Sequence, residues 1–306
     1  MLTIFTIPKP FKGHIDVIQR NAIESWLRLE PKCEIILCGN DSGVAEVAAE
    51  YQVKHIPDLA KTEFGTPLVS SAFEEATKAA HNPIIMYTNA DIIFLNDLLA
   101  NLKLVSFPQF MMVSQRWDTD IKTRLPANTP DYETHLHSLL KTQAKLHAPL
   151  GSDWFAYPKD MPINMPPFAV GRPAWDNWLL GHMIEQNIPL INVSPHVITV
   201  VHQNHDYAHV PQGDFSKTWD SPESRQNYAL VGEDTVLATL PDSSYVINQR
   251  GLVKLPPLEW RRWFRDFKAK LTISYVKGKL SWQRELWRRR LMKRVKIIQD
   301  LFQSRS

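Results

Sequence analysis

The first hundred residues alternate two hydrophobic rhythms. Thr3-Ile4-Phe5-Thr6-Ile7 is a short apolar run closed by Pro8-Lys9-Pro10 and reads as a buried strand. From residue 14 to residue 29 the apolar positions Ile15, Ile18, Ala22, Trp26 and Leu29 recur at helical spacing. Glu34 to Cys38 reads as a second strand, ended by Asn40-Asp41-Ser42-Gly43. The same reading gives a helix over 44–51, a strand over 53–57, a helix over 67–80 and the most apolar strand over 83–88. A helix over 97–104, with Asn96 as its cap, and a strand over 110–114 follow. This order predicts an α/β fold: a mostly parallel, Rossmann-like sheet with helices on both faces.

Beyond residue 117 the rhythm weakens. A polar loop leads to a helix around 133–146, and residues 151–212 are rich in Pro, Trp and His, a composition that more often carries function than packing. Near Gly251 the composition changes sharply. Residues 250–306 hold 17 Lys/Arg and 4 Asp/Glu, against 18 and 28 in residues 1–249, so a mildly acidic body (net −10) carries a basic tail (net +13). The expected division is therefore an α/β domain over 1–250 and a basic amphipathic helical tail over 251–306. In the tail Trp260, Trp263, Phe264, Phe267 and Leu271 share one helical face among arginines and lysines, and Trp287, Leu291, Val295, Ile298 and Phe302 repeat the theme. Such helices suit an anionic membrane surface, or pack as a cap with a solvated basic face. No recognised module accompanies the charge, which argues against nucleic acid as partner. No apolar run approaches the 18 residues a membrane helix needs, and no signal peptide is read at the start. The two cysteines, Cys33 and Cys38, flank one strand and are too far apart to bridge, which suits a reducing compartment.

Open α/β sheets bind ligands at the carboxyl ends of their strands. Those ends carry Pro8-Lys9-Pro10-Phe11, Asn40-Asp41, Pro57-Asp58 and Asn89-Ala90-Asp91. No Gly-x-Gly-x-x-Gly and no Gly-x-x-x-x-Gly-Lys-Ser/Thr is present, which excludes the usual dinucleotide and P-loop signatures. A carboxylate after the central strand, Asp91, is suited to a hard divalent ion that neutralises a diphosphate, and Asp41 to a nucleobase or ribose.

Tyr87-Thr88-Asn89-Ala90-Asp91-Ile92-Ile93-Phe94 resembles the Asp-x-Asp region of GT-A glycosyltransferases, family 2-like, with a likeness over roughly residues 1–210. The first acidic position of that motif is Asn89 here. The resemblance implies a GT-A-like fold, an Mn2+ or Mg2+ ion, and a UDP- or GDP-linked nucleotide-sugar as donor, with Pro8, Asp41, Thr66, Asn89 and Asp91 as its contacts. Gly171-Arg172-Pro173-Ala174-Trp175-Asp176 resembles the acceptor region of inverting members, which makes Asp176 the general base. Asp153, within Gly151-Ser152-Asp153-Trp154-Phe155, is assigned to hydroxyl binding. A His after the late apolar strand completes the metal shell in many such enzymes; His202 is preferred to His205 or His209. Lys61 to Ser70 leads into a helix whose open N–H groups would face the donor. The function implied is sugar transfer to a glycan or lipid-linked acceptor by a cytoplasmic, membrane-peripheral enzyme. A sugar nucleotidyltransferase and a non-catalytic scaffold are the alternatives. Each residue also has a structural reading: Asp41 and Asp91 as turn residues, Asp176 as a helix-start acid, the tryptophans as core.

Overall fold

The computed structural model describes residues 2–205, 220–232 and 237–261. The expected basic helices beyond residue 261, and His209, lie outside the described residues.

The chain runs β1 (Leu2–Thr6), α1 (Gly13–Leu27), β2 (Glu34–Cys38), α2 (Val44–Tyr51), β3 (Lys54–Ile56), α3 (Val69–Ala79), β4 (Ile84–Thr88), β5 (Ile92–Phe94), α4 (Asp97–Leu102), β6 (Met111–Ser114) and β7 (Trp117–Thr119). It continues through α5 (Tyr132–Gln143), β8 (Lys145–Leu146), β9 (Trp154–Pro158), α6 (Trp175–Glu185), β10 (Leu190–Val193), β11 (Val200–Gln203), α7 (Pro222–Val231), β12 (Tyr245–Asn248) and β13 (Gly251–Lys254). Nine strands form one sheet in the order β13-β12-β10-β6-β9-β4-β1-β2-β3. Its pairs are parallel except where β9 lies between β4 and β6, and where β12 and β13 form an edge hairpin. The α/β architecture is as the rhythm predicts.

The pleat explains why the central strands are apolar on both sides. Leu2 and Ile4, Ile35 and Leu37, Met86, Met112, Trp154 and Ala156 turn to one face, against Ala22, Ile23, Trp26, Val44 and Val47 of α1 and α2. Phe5, Ile36, Ile85, Tyr87, Met111, Val113, Phe155 and Tyr157 turn to the other, against α3 and α6. Trp154, Trp175 and Trp178 are all buried in these cores, so the structural reading of the tryptophans holds.

Several elements depart from expectation. The sheet continues past residue 250, because Gly251–Lys254 pairs with β12, so the expected boundary falls inside a hairpin. The helix expected to run to residue 146 stops at Gln143, because Lys145 and Leu146 pair with Asp118 and Trp117. Asn96 precedes α4 without capping it; its Oδ1 accepts the Glu30 N–H at 2.7 Å. A second sheet, ordered β5-β11-β7-β8, was not expected. Both cysteines are free thiols.

Candidate functional site

The central strand β4 ends at Thr88, and the turn Asn89-Ala90-Asp91 carries the chain out of the large sheet into β5 of the small one. The register there decides what surrounds Asp91. His202 on β11 pairs with Ile92, and Asp118 on β7 pairs with His202. Residues side by side in register project to the same face. Asp118 and His202 therefore stand side by side, and Asp91, in the turn before β5, has its Oδ2 3.1 Å from His205 Nε2 and 3.8 Å from His202 Nε2. One ligand atom from each of Asp91, His202 and His205 lies within 4.8 Å of the others. Asp91 Oδ1 is buried and has no hydrogen-bond partner among the described residues. Burial opposes ionisation of Asp91, yet His202, His205 and Lys9 hold its carboxyl well below the usual carboxylate range. A carboxylate and two imidazoles with an unsatisfied oxygen fit a divalent ion such as Mn2+. His202, the expected ligand, and His205 both lie beside Asp91.

Asn89 has a definite task. Its Nδ2 donates to Asp153 Oδ1 at 2.8 Å, its Oδ1 accepts from Tyr87 Oη at 3.1 Å, and its N–H donates to the Asp153 carbonyl at 2.8 Å. An aspartate there could not donate to Asp153, so the neutral amide is what the pair requires. Arg116, on the segment into β7, bridges Asp153 to Asp118, with Nε donating to Asp118 Oδ1 at 2.9 Å. Asp153 is therefore held by two neighbours, which limits its expected role to a fixed acceptor of hydroxyl hydrogen bonds.

A cavity of about 470 Å³ opens above these groups. Pro8, Asp41, Thr66, Asn89, Asp91, Asp153 and His202, all expected site residues, line it together with Lys9, Arg116, Arg172 and His205. Gln19 clamps the loop after β1 from α1: its Oε1 accepts the Lys9 N–H at 2.7 Å and its Nε2 donates to the Lys9 carbonyl at 2.8 Å. The Asp41 loop packs on that loop so closely that a Cβ at Gly43, where φ is +91°, would meet Phe11 Cβ at 2.8 Å. Three of the N–H groups leading into α3 are already engaged. Thr66 N–H donates to Thr62 Oγ1, Leu68 N–H to the Ala60 carbonyl and Val69 N–H to the Phe168 carbonyl, at 3.3, 2.8 and 2.8 Å. Glu223 pins this wall from α7, accepting from Thr62 Oγ1 at 2.7 Å and from Arg172 Nη2 at 2.6 Å.

Asp176 sits at the start of α6, half-buried, and does not line the cavity. Ala174 before it adopts a left-handed φ of +84°, a strained conformation for a residue with a Cβ. The Asp176 carboxylate presses on Gly151, where a Cβ would come within 2.4 Å of Oδ2. Burial, reinforced by the like charge of Asp153, pushes its carboxyl up to about 6. The sequence reading missed Arg116, Asp118 and His147. Arg116 and Asp118 do stand two apart after an apolar strand, a period-2 signal that had been read as loop.

No protein-family profile and no curated protein matches the chain. Among solved structures it is similar to S. aureus TarS 1–349, at 10% identity and a TM-score of 0.30 over 38% of this chain. The chain covers 36% of that structure. It is also similar to the M. tuberculosis glucosyl-3-phosphoglycerate synthase in complex with Mn2+, uridine-diphosphate and phosphoglyceric acid. That likeness has 13% identity and a TM-score of 0.45, over 76% of this chain and 77% of the other.

Proposed function

We propose that this chain transfers a sugar from a UDP- or GDP-linked donor to a hydroxyl of a glycan or lipid-linked acceptor, with inversion. One observation carries the reading: Asp91, His202 and His205 converge, with an unpartnered buried oxygen, on the floor of a cavity walled by Pro8, Asp41 and Thr66. Asp91, His202 and His205 would hold Mn2+ or Mg2+, which when bound supplies charge neutralisation for the donor diphosphate. Pro8 and Asp41 form the wall for the base and ribose, Asp41 accepting hydrogen bonds there. Asp153, fixed by Asn89 and Arg116, orients a sugar hydroxyl. Asp176 takes the acceptor's proton; a carboxyl pushed up to about 6 is matched to that task near neutral pH.

Among the described residues no helix is long and apolar enough to cross a membrane. The basic tail beyond residue 261 is the proposed contact with an anionic membrane surface, which would place a cytoplasmic enzyme beside lipid-linked acceptors. Hydrolysis of a panel of nucleotide-sugars with and without Mn2+, together with UDP and GDP binding, tests the central reading. Metal-dependent release of one nucleotide supports it; no turnover and no nucleotide binding leaves the scaffold. Equal liposome flotation with and without the tail would reject the membrane role.

A further inference from the structure

Asp118 lies one strand away from the cation corner and is not one of its converging ligands. Both of its carboxylate oxygens are occupied. Oδ1 accepts from Arg116 Nε at 2.9 Å, and Oδ2 lies 2.7 Å from His147 Nδ1. Arg116 is tied in turn to Asp153. The carboxylate is therefore held in place. Its Oδ1 also stands 3.2 Å from His202 Nδ1, within ion-pair range though off the line of a hydrogen bond. The other nitrogen of the same ring, Nε2, faces Asp91. His202 thus stands between two carboxylates, one per ring nitrogen, in a row set by strand register.

A neutral imidazole has one N–H and one lone pair, and the partner of one nitrogen decides which nitrogen is left to bind. We infer that Asp118 is a positioning residue for the cation site: it holds the His202 proton on Nδ1 and so presents the Nε2 lone pair beside Asp91. Metal-binding histidines are commonly oriented by a carboxylate on the far nitrogen, and loss of that partner weakens metal affinity about 10- to 100-fold. Here the orienting carboxylate is itself fixed by Arg116 and His147, so the ring enters the site pre-aligned. This inference rests on the cation reading of the corner.

The test uses the full chain with 15N-labelled histidine and no added metal, at a pH raised until the 15N shifts of His202 report a neutral ring. Long-range 1H–15N correlation, assigned with His202→Gln, should show His202 protonated on Nδ1. Mn2+ titrated into the wild type, Asp118→Ala and Asp118→Asn, followed by electron paramagnetic resonance, should give a dissociation constant raised about 10- to 100-fold in Asp118→Ala and less in Asp118→Asn, which keeps an acceptor oxygen. A wild-type His202 protonated on Nε2 overturns the inference without any variant. So does an Asp118→Ala protein that keeps the wild-type thermal midpoint and Mn2+ affinity. A wild type that binds no Mn2+ overturns the cation reading as well, and that outcome is distinct from an unchanged Asp118→Ala.

Discussion

Asp91 and Asp176 are both partly buried carboxylates, one lining the cavity and one not. Their surroundings drive them in opposite directions. Burial disfavours charge at both, but Asp91 faces His202, His205 and Lys9 and stays well below the usual carboxylate range. Asp176 faces the like charge of Asp153 and rises to about 6. On the proposed reading, a pair of acids pushed apart in this way divides the labour: one stays charged to hold a cation, the other gains and loses a proton near neutrality. Asp91 and His205 flank paired strands and His202 lies within one, whereas Asp176 rests on a helix start and a glycine.

The largest effect should come from Asp91→Asn. It removes the carboxylate on which both imidazoles converge and is expected to lower transfer by about 10³-fold or more, equivalent to several kcal/mol of transition-state charge stabilisation. Isothermal titration should show Mn2+ binding lost. Full activity with Mn2+ affinity retained would remove the cation from this corner.

Asp176→Asn should lower kcat about 10²-fold, the scale of general-base loss, while Mn2+ and UDP binding stay as in wild type. Stability provides a second readout. A carboxyl whose folded pKa is raised binds protons more tightly when native, so the stability it contributes is present below the unfolded value, about 4, and is lost as pH rises through about 6. At pH 7–8 the asparagine variant should therefore be the more stable protein, by roughly 3 kcal/mol at most. The wild-type kcat should rise with pH through the same window and level off above it. An Asp176→Asn enzyme that keeps wild-type kcat, or that is less stable at pH 8, would dissolve the contrast between the two acids.

Asn89→Asp tests the departure from the Asp-x-Asp pattern. The new carboxylate would face Asp153 where Nδ2 now donates at 2.8 Å. Stability should fall by about 1–3 kcal/mol, the cost of an unmade hydrogen bond between buried groups, with little gain in Mn2+ affinity. A large gain in affinity would mean that position 89 reaches the cation after all.

The parts of this site that could be read from the sequence are those at the ends of long, strongly apolar strands. Pro8, Asp41 and Asp91 follow β1, β2 and β4, whose runs carry enough period to be recognised, and they meet because a parallel sheet brings those ends together. The small sheet was hidden. β5 and β7 are three residues each, too short for a periodic signal, and they are joined only through β11, about a hundred residues further along. The register that places Asp118 beside His202 is a long-range fact, so Arg116, Asp118 and His147 looked like loop. The partner of the Val69 N–H was hidden for the same reason: Phe168, distant in sequence, supplies the carbonyl that takes it. Asp176 could be placed at a helix start, but which way that start faces depends on Gly151.

Gly151→Ala moves one of the two acids without changing any charge. The added Cβ would lie 2.4 Å from Asp176 Oδ2, closer than atoms tolerate, and the atom it meets is the far end of a side chain that can swing. The carboxylate should yield, and the backbone should not. Global stability should then change little, and Asp91, His202 and His205, on the other sheet, should bind Mn2+ as before. A proton acceptor displaced by even an ångström loses much of its alignment with the hydroxyl, so kcat should fall roughly fivefold or more while the KM for the donor holds. The pH midpoint should move toward the ordinary carboxylate range as the group meets more water. Should kcat and its pH profile both match wild type, with a crystal structure showing the carboxylate displaced, the proton is taken elsewhere, and Asp176 becomes a helix-start acid with an unusual environment.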